Sequence, residues 1–216
     1  MLLLFKAVGM GEAAPSDHDA IARWFWAMGF NESLRGKPDH YVVRAVENWQ
    51  TLIRGGIRGL EPRLKLTEMD LLERRLVRGG ALSATFTAMH AVNEARRLTD
   101  GYTIDPSVYM KSLDASWFIP IFSRAEIISA VSSETVSARI FANVLLVDET
   151  GGRRGDLMPR DAILAAAERQ DWQALSSQFI NQAAVDMLLK QDVIEFMLIR
   201  SELMHARASR LVEERA

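Results

Sequence analysis

The chain has no cysteine. That excludes disulfides, thiolate metal sites and thiolate nucleophiles, and it agrees with a reducing compartment. Charge of one sign is also missing: 26 Lys and Arg stand against 28 Asp and Glu, a formal net charge of −2. A near-neutral chain has no global field for nucleic acid, so any such contact has to be local. Long apolar runs are absent too. The run Leu2–Phe5 is too short for a signal-peptide core and no basic segment precedes it, and no stretch approaches the ~20 apolar residues of a membrane span. The expectation is a soluble, cytoplasmic chain with no membrane contact. The abrupt apolar start reads as the last turn or two of a helix whose earlier part is missing or supplied elsewhere. There is no internal repeat or low-complexity tract. The segment "GGRRGD" lacks the G-K-S/T of a P-loop.

What is present suffices for a sizeable core: 216 residues, 49% of them hydrophobic. Ser16 or Asp17 is expected to cap a helix running to about Met28, with Ile21, Trp24, Phe25 and Met28 on one apolar face and Gly29 at its end. A second helix is expected from Pro38 to Gly55–Gly56. Thr67 caps "TEMDLLERRLV", and "ALSATFTAMHAVNEARRL" reads as one long buried helix. Asp100–Gly101 is a turn, beyond which the texture becomes shorter, Pro-broken and aromatic. Strands are expected at Trp117–Phe122 and Phe141–Asp148, and a helix from Ser123. Two shorter helices, in "RDAILAAAERQ" and "DWQALSSQFI", and a long C-terminal one beginning near Asp192 follow. The fold expected is mostly α: a helical region over 1–100, then a small α+β module over 101–216 closed by the long C-terminal helix.

The segments "IDPSVYMKSLDASWFIPIF", "FANVLLVDETGGRRGDLMP" and "VIEFMLIRSELMHARASRLVEE", following "IARWFWAMGFNESLRG" and "ERRLVRGGALSATFTAMHAVNEARRL", resemble a known order of pieces. It is that of the C-terminal two-thirds of the GmrSD-like modification-dependent restriction proteins. Those join a ParB-like N-terminal domain, a helical middle and an HNH (His-Me finger) nuclease module. The resemblance spans about 190 residues as order and texture, not as a strict motif, and the ParB-like domain has no counterpart here. It implies a degenerate His-Me finger in the second half. In that family an aspartate precedes a histidine, two apolar residues and a proline. Here Asp114 and Pro120 match, and Trp117 fills the histidine's place. The family's asparagine opening the next strand corresponds to Asn143. A further polar ligand of the family is missing from "ETGGRRGDLMP", although Arg153, Arg154, Asp156 and Pro159 are there.

The chemistry explains why these departures matter. Hydrolysis of a phosphodiester in this way needs a base to deprotonate water and one divalent ion to stabilise charge. The resemblance makes the histidine the base and the asparagine its orienting partner. An indole has only an N–H donor and accepts no proton near neutral pH. Loss of a general base costs about 10²–10⁴-fold in rate. The implication is a catalytically silent remnant or accessory subunit of a restriction or phage-defence nuclease, acting through nucleic-acid or protein contact. No cofactor is expected; Mg²⁺ enters only if the module is active. The partners implied are DNA, a separately encoded ParB-like domain or a second copy of the chain.

Each feature also has a plainer reading. Trp117–Phe122 also reads as a plain core strand. Asn143 reads as an orienting remnant or as a turn residue satisfying nearby backbone. Arg153 and Arg154 read as phosphate contacts or as a solvated loop. Arg200 to His205, "RSELMH", matches the loose Arg-x4-His pattern of HEPN-type ribonucleases, which act without metal across a dimer. Its plain reading is an exposed arginine and a satisfied histidine. Trp24 and Trp26 cannot face the same way, so one of them is expected at a semi-exposed or interface position. A helical interaction module without chemistry is the third reading.

Overall fold

The computed structural model describes residues 15–45, 47, 63–105, 107, 117–131, 136–147 and 158–213. By internal contact the chain divides into two units, residues 1–65 with 208–216, and residues 66–207. The fold is mostly α, with a two-stranded antiparallel sheet and a long C-terminal helix.

In the first unit, α1 (Pro15–Phe30) carries Pro at its first position, where the missing N–H is harmless. It runs through Gly29, where a stop was expected, and ends in turns over 31–36, with Glu32 at φ 47° and Gly36 at φ 65°. The buried positions are Trp26, Ala27 and Phe30, not the stripe expected at Trp24, Phe25 and Met28. Including Phe30 rotates the apolar face: Trp26 stacks on it at 5.7 Å, while Trp24 is half-buried. Asn31 ties this turn to the chain at 63–65, donating to the Arg63 carbonyl and accepting from Lys65 N. Of the expected second helix, residues 39–45 are helical.

The second unit opens with a capping box. Thr67 accepts from Asp70 N, and the Asp70 carboxylate accepts from Thr67 N, which starts α2 (Glu68–Glu73). Burial pushes the Asp70 carboxyl up, but the Thr67 bonds and Arg74 outweigh it and hold it below its ordinary value. The chain then leaves the helix at Arg74, and Arg75 bridges to Ile140. The helix α3 spans only Ala81–Val92, although "NEARRL" continues with helix-forming residues. It stops because Glu94 turns to φ 49° and Ala95 is claimed by Ile104, whose N–H donates to its carbonyl at 2.7 Å.

The expected boundary near Asp100 lies inside this unit. Arg97 pairs with Asp100, Arg96 N donates to Ser177 Oγ, and Arg169 donates to the Leu98 carbonyl. These bonds bind the segment to chain on both sides.

The strands are shorter than expected: β1 is Phe118–Pro120 and β2 is Val144–Leu146, paired antiparallel with Phe118 opposite Leu146 and Pro120 opposite Val144. Phe141–Asn143, expected as the start of a strand, forms a 3₁₀ turn. Between the strands, Ser123 and Glu126 form a reciprocal cap at the start of α4 (Arg124–Val131). The rest is helical: α5 (Pro159–Glu168), α6 (Trp172–Ser177), α7 (Gln182–Leu189) and α8 (Val193–Glu213). The sequence reading did not separate α7, which Asn181 caps. The core joins Ile121, Phe122 and Leu145 of the hairpin region to Ile163, Leu175, Val185 and Phe196 of the helices. No helix among the described residues is long and apolar enough to cross a membrane.

Candidate functional site

The hairpin brings the two expected site segments together but not the two expected site residues. Val147 N donates to the Trp117 carbonyl at 2.8 Å, and Ile121 N donates to the Asn143 carbonyl at 2.8 Å. Trp117 therefore sits at one end of the ladder and Asn143 at the other. Four steps of strand separate them, roughly 13 Å. Trp117 is buried.

Asn143 is fully buried and its side chain is committed to backbone. Its Oδ1 accepts from Phe122 N at 3.0 Å, while its Nδ2 donates to the carbonyls of Phe122 at 2.9 Å and Ala138 at 2.8 Å. The amide clamps the exit of β1 to the turn that precedes β2. Of the two readings of this asparagine, the geometry displays satisfaction of nearby backbone.

Gln178 does the same for the far edge of β2. Its Oε1 accepts from Leu146 N, and its Nε2 donates to the Leu146 and Arg96 carbonyls. The side-chain amide replaces a third strand at that point, so a buried sheet edge is left paired.

Arg200 completes the polar centre. The α8 helix delivers it to the hairpin with no exposed surface. Nη1 donates to the Ala142 carbonyl at 2.6 Å, and Nη2 donates to those of Val144 at 3.0 Å and Gln178 at 2.9 Å. The guanidinium lies 5.9 Å from the Phe196 ring centroid. Burial pulls its pKa down to about 9, so it is still a cation at neutral pH. The sequence reading expected an RNA-facing or exposed arginine; this one faces only protein. His205, its companion in the Arg-x4-His pattern, is half-buried. Its Nε2 lies 3.1 Å from the Leu66 carbonyl oxygen and its Nδ1 3.5 Å from Glu68 Oε1.

Next to this centre is His90 of α3, fully buried among the rings of Phe86, Phe179 and Phe118 at 4.8, 5.1 and 5.8 Å. Neither ring nitrogen has a hydrogen-bond partner. Burial first and the Arg200 charge second push its pKa down to about 3, so it is neutral.

Asp114, Arg153 and Arg154 lie outside the described residues. The arrangement that is described fixes backbone: three buried polar side chains, Asn143, Gln178 and Arg200, hold both margins of β2. The sequence reading missed Gln178 and gave no particular place to His90 within a helix it read as buried. Gln178 follows a short helix with nothing local to mark it, because its partners are 32 and 82 residues away in the chain. Comparison of the chain with family models, curated proteins and solved structures gives no match.

Proposed function

We propose that this chain is a catalytically silent, nuclease-like accessory module of a restriction-type defence protein, working by contact with DNA or with a protein partner. One observation carries the reading. An indole, Trp117, is buried where the resemblance calls for a proton acceptor, while Asn143, the orienting position, is tied to the Phe122 and Ala138 backbone. A buried indole activates no water. The antiparallel pairing of β1 with β2, and the contact of Arg200 from α8 with that hairpin, support the ancestry. A separately encoded ParB-like domain or a second copy of the chain is the protein partner this reading implies.

The test is incubation of the full chain with plasmid DNA and Mg²⁺ or Mn²⁺. The plasmid is expected to stay intact, and robust metal-dependent nicking overturns the proposal. The alternative of a HEPN-like ribonuclease gains no support from Arg200, whose terminal nitrogens donate to protein carbonyls in the interior. RNA incubated without metal is accordingly expected to survive.

A further inference from the structure

Helices α6 and α7 are joined by the short segment 178–181. Three bonds close the joint. Phe179 N donates to the Ser176 carbonyl and Ile180 N to that of Leu175, both at 3.0 Å, and Ala184 N donates to Asn181 Oδ1 at 2.9 Å. Phe179 takes φ 59°, a conformation in which only glycine is unstrained. Its ring is buried 5.1 Å from that of His90, and this packing offsets the strain. Helix α5 packs against both α6 and α7. Leu175, Ile180, Val185 and Leu188 of the pair share one core with Ile163 of α5. A short helix, a tight turn with one left-handed residue and a second helix, both carried on a third, make a helix-turn-helix.

We infer that α7 is a recognition helix for the major groove of double-stranded DNA. Ala184, Val185 and Leu188 are buried, whereas Gln182, Ala183 and Lys190 are exposed and Asp186 is half-buried. At the turn of an α-helix, Gln182, Ala183, Asp186 and Lys190 fall within roughly 100° of arc, so they share the outward face. In a helix-turn-helix the N-terminal residues of the second helix meet the base edges, and here those are Gln182 and Ala183. Gln182 Nε2 donates to Asp186 Oδ1 at 2.8 Å, which orients the amide. The second hydrogen on Nε2 and the Oε1 acceptor are then the pair that adenine takes at N7 and N6. The small Ala183 lets the helix come close, and its methyl suits that of thymine.

The geometry selects the partner. B-DNA has a major groove about 12 Å wide that admits an α-helix, and the eight residues of α7 give it a length of about 12 Å. The major groove of A-form RNA is too deep and narrow for side chains to read, so DNA is the better fit. Within 182–190, Lys190 is the one cation and Asp186 the one anion. This face therefore offers hydrogen bonds more than a field. Few phosphates are neutralised, so binding is expected at low salt and with a shallow salt dependence. The choice of DNA over a protein partner rests on the DNA-contact reading of the proposed function, but the nuclease ancestry is not needed for it.

The experiment selects duplexes from a pool with a randomised centre, using the full chain at low salt. The bound fraction is sequenced, and the enriched duplex is titrated by fluorescence anisotropy. The parent is expected to enrich one short motif that contains adenine. Gln182→Ala is expected to weaken binding to that duplex by about tenfold and to relax the choice of adenine at one position. Ala183→Glu sets a carboxylate against the groove and is expected to cost about tenfold or more. Arg44→Glu, a charge reversal in the other unit, is expected to stay within about threefold of the parent. Thermal melts confirm that each variant is folded, and if Ala183→Glu has lost its melt, Gln182→Ala carries the test. A parent that enriches nothing overturns the inference, and so does a motif bound equally by parent and both α7 variants. DNA binding indifferent to α7 leaves the proposed DNA contact standing and removes only this helix from it. Metal-dependent cutting of plasmid removes the silent module and leaves α7 as its reader.

Discussion

The imidazole of His90 is kept neutral by its burial and, next, by the guanidinium of Arg200. Its pKa falls from the ordinary 6.5 to about 3. Below pH 6.5 the unfolded chain takes up a proton that the folded chain refuses. Stability therefore falls as pH drops from 6.5 toward 3, with a slope approaching about 1.4 kcal/mol per pH unit from this group alone. Asp70 and Glu126 also have lowered values, and they too lose their contribution as pH falls. Their ordinary values of 3.8 and 4.5 confine that loss to lower pH. Urea titrations between pH 7 and about 5.5, above the ordinary carboxylate range, isolate the histidine from these two carboxylates.

His90→Leu removes two orphaned nitrogens and keeps most of the volume. At pH 7 the variant is expected to match the parent or exceed it by about 1 kcal/mol, since no hydrogen bond is broken. At pH 4.5 it is expected to be clearly the more stable of the two. Parallel stability–pH curves for parent and variant would show that the ring is solvated in the folded chain.

Arg200→Met keeps the stem and removes the fork. The carbonyls of Ala142, Val144 and Gln178 then lose a donor in the interior. The expected loss is about 3–5 kcal/mol, read as a lower urea midpoint. Arg200→Lys is expected to recover only part of it, because a single ammonium does not span the positions that the fork reaches. A neutral outcome for Arg200→Met would place the guanidinium in solvent and reopen the ribonuclease reading.

Asn143 separates two readings of one residue. As a backbone clamp, Asn143→Ala strands Phe122 N and the Phe122 and Ala138 carbonyls, at a cost of about 2–3 kcal/mol in thermal or urea unfolding. Asn143→Asp keeps the acceptor but loses both donors and buries a charge, so it is expected to be worse. As a mere catalytic remnant, both changes would leave stability unmoved.

The sequence displayed what is local. Thr67 and Asp70 lie three apart and close their box as their types demand, and the apolar run around Trp117 and the one after Asn143 are strand-like and do pair. Where the reading fell short, a distant partner overrode a local preference. "NEARRL" has helical residues, yet α3 stops because Ala95 and Arg96 are held by Ile104 and Ser177. "FAN" reads as strand, yet it coils into a 3₁₀ turn, with the Ala142 carbonyl taken by Arg200 and the Asn143 amide turned to Phe122 and Ala138. Arg200 itself looked like a surface residue because nothing nearby in sequence announces three carbonyls from chain 22 to 58 residues away. A buried arginine held by carbonyls is the rarer choice, and single-sequence patterns favour the common one.

A histidine at position 117 tests the proposed nuclease resemblance. Trp117→His places an imidazole at the position that the resemblance assigns to the proton acceptor. Asn143 stays at the opposite end of the ladder, roughly 13 Å away along the strand, and its amide stays bonded to Phe122 and Ala138. The new ring would have no orienting partner from that residue. Loss of the indole from a buried position is expected to cost about 2–4 kcal/mol. The variant is therefore expected to be less stable than the parent and, with plasmid DNA and Mg²⁺ or Mn²⁺, equally inert. Metal-dependent cutting by Trp117→His and not by the parent would mean that one substitution separates this hairpin from a working nuclease, with the orienting group supplied from elsewhere than Asn143.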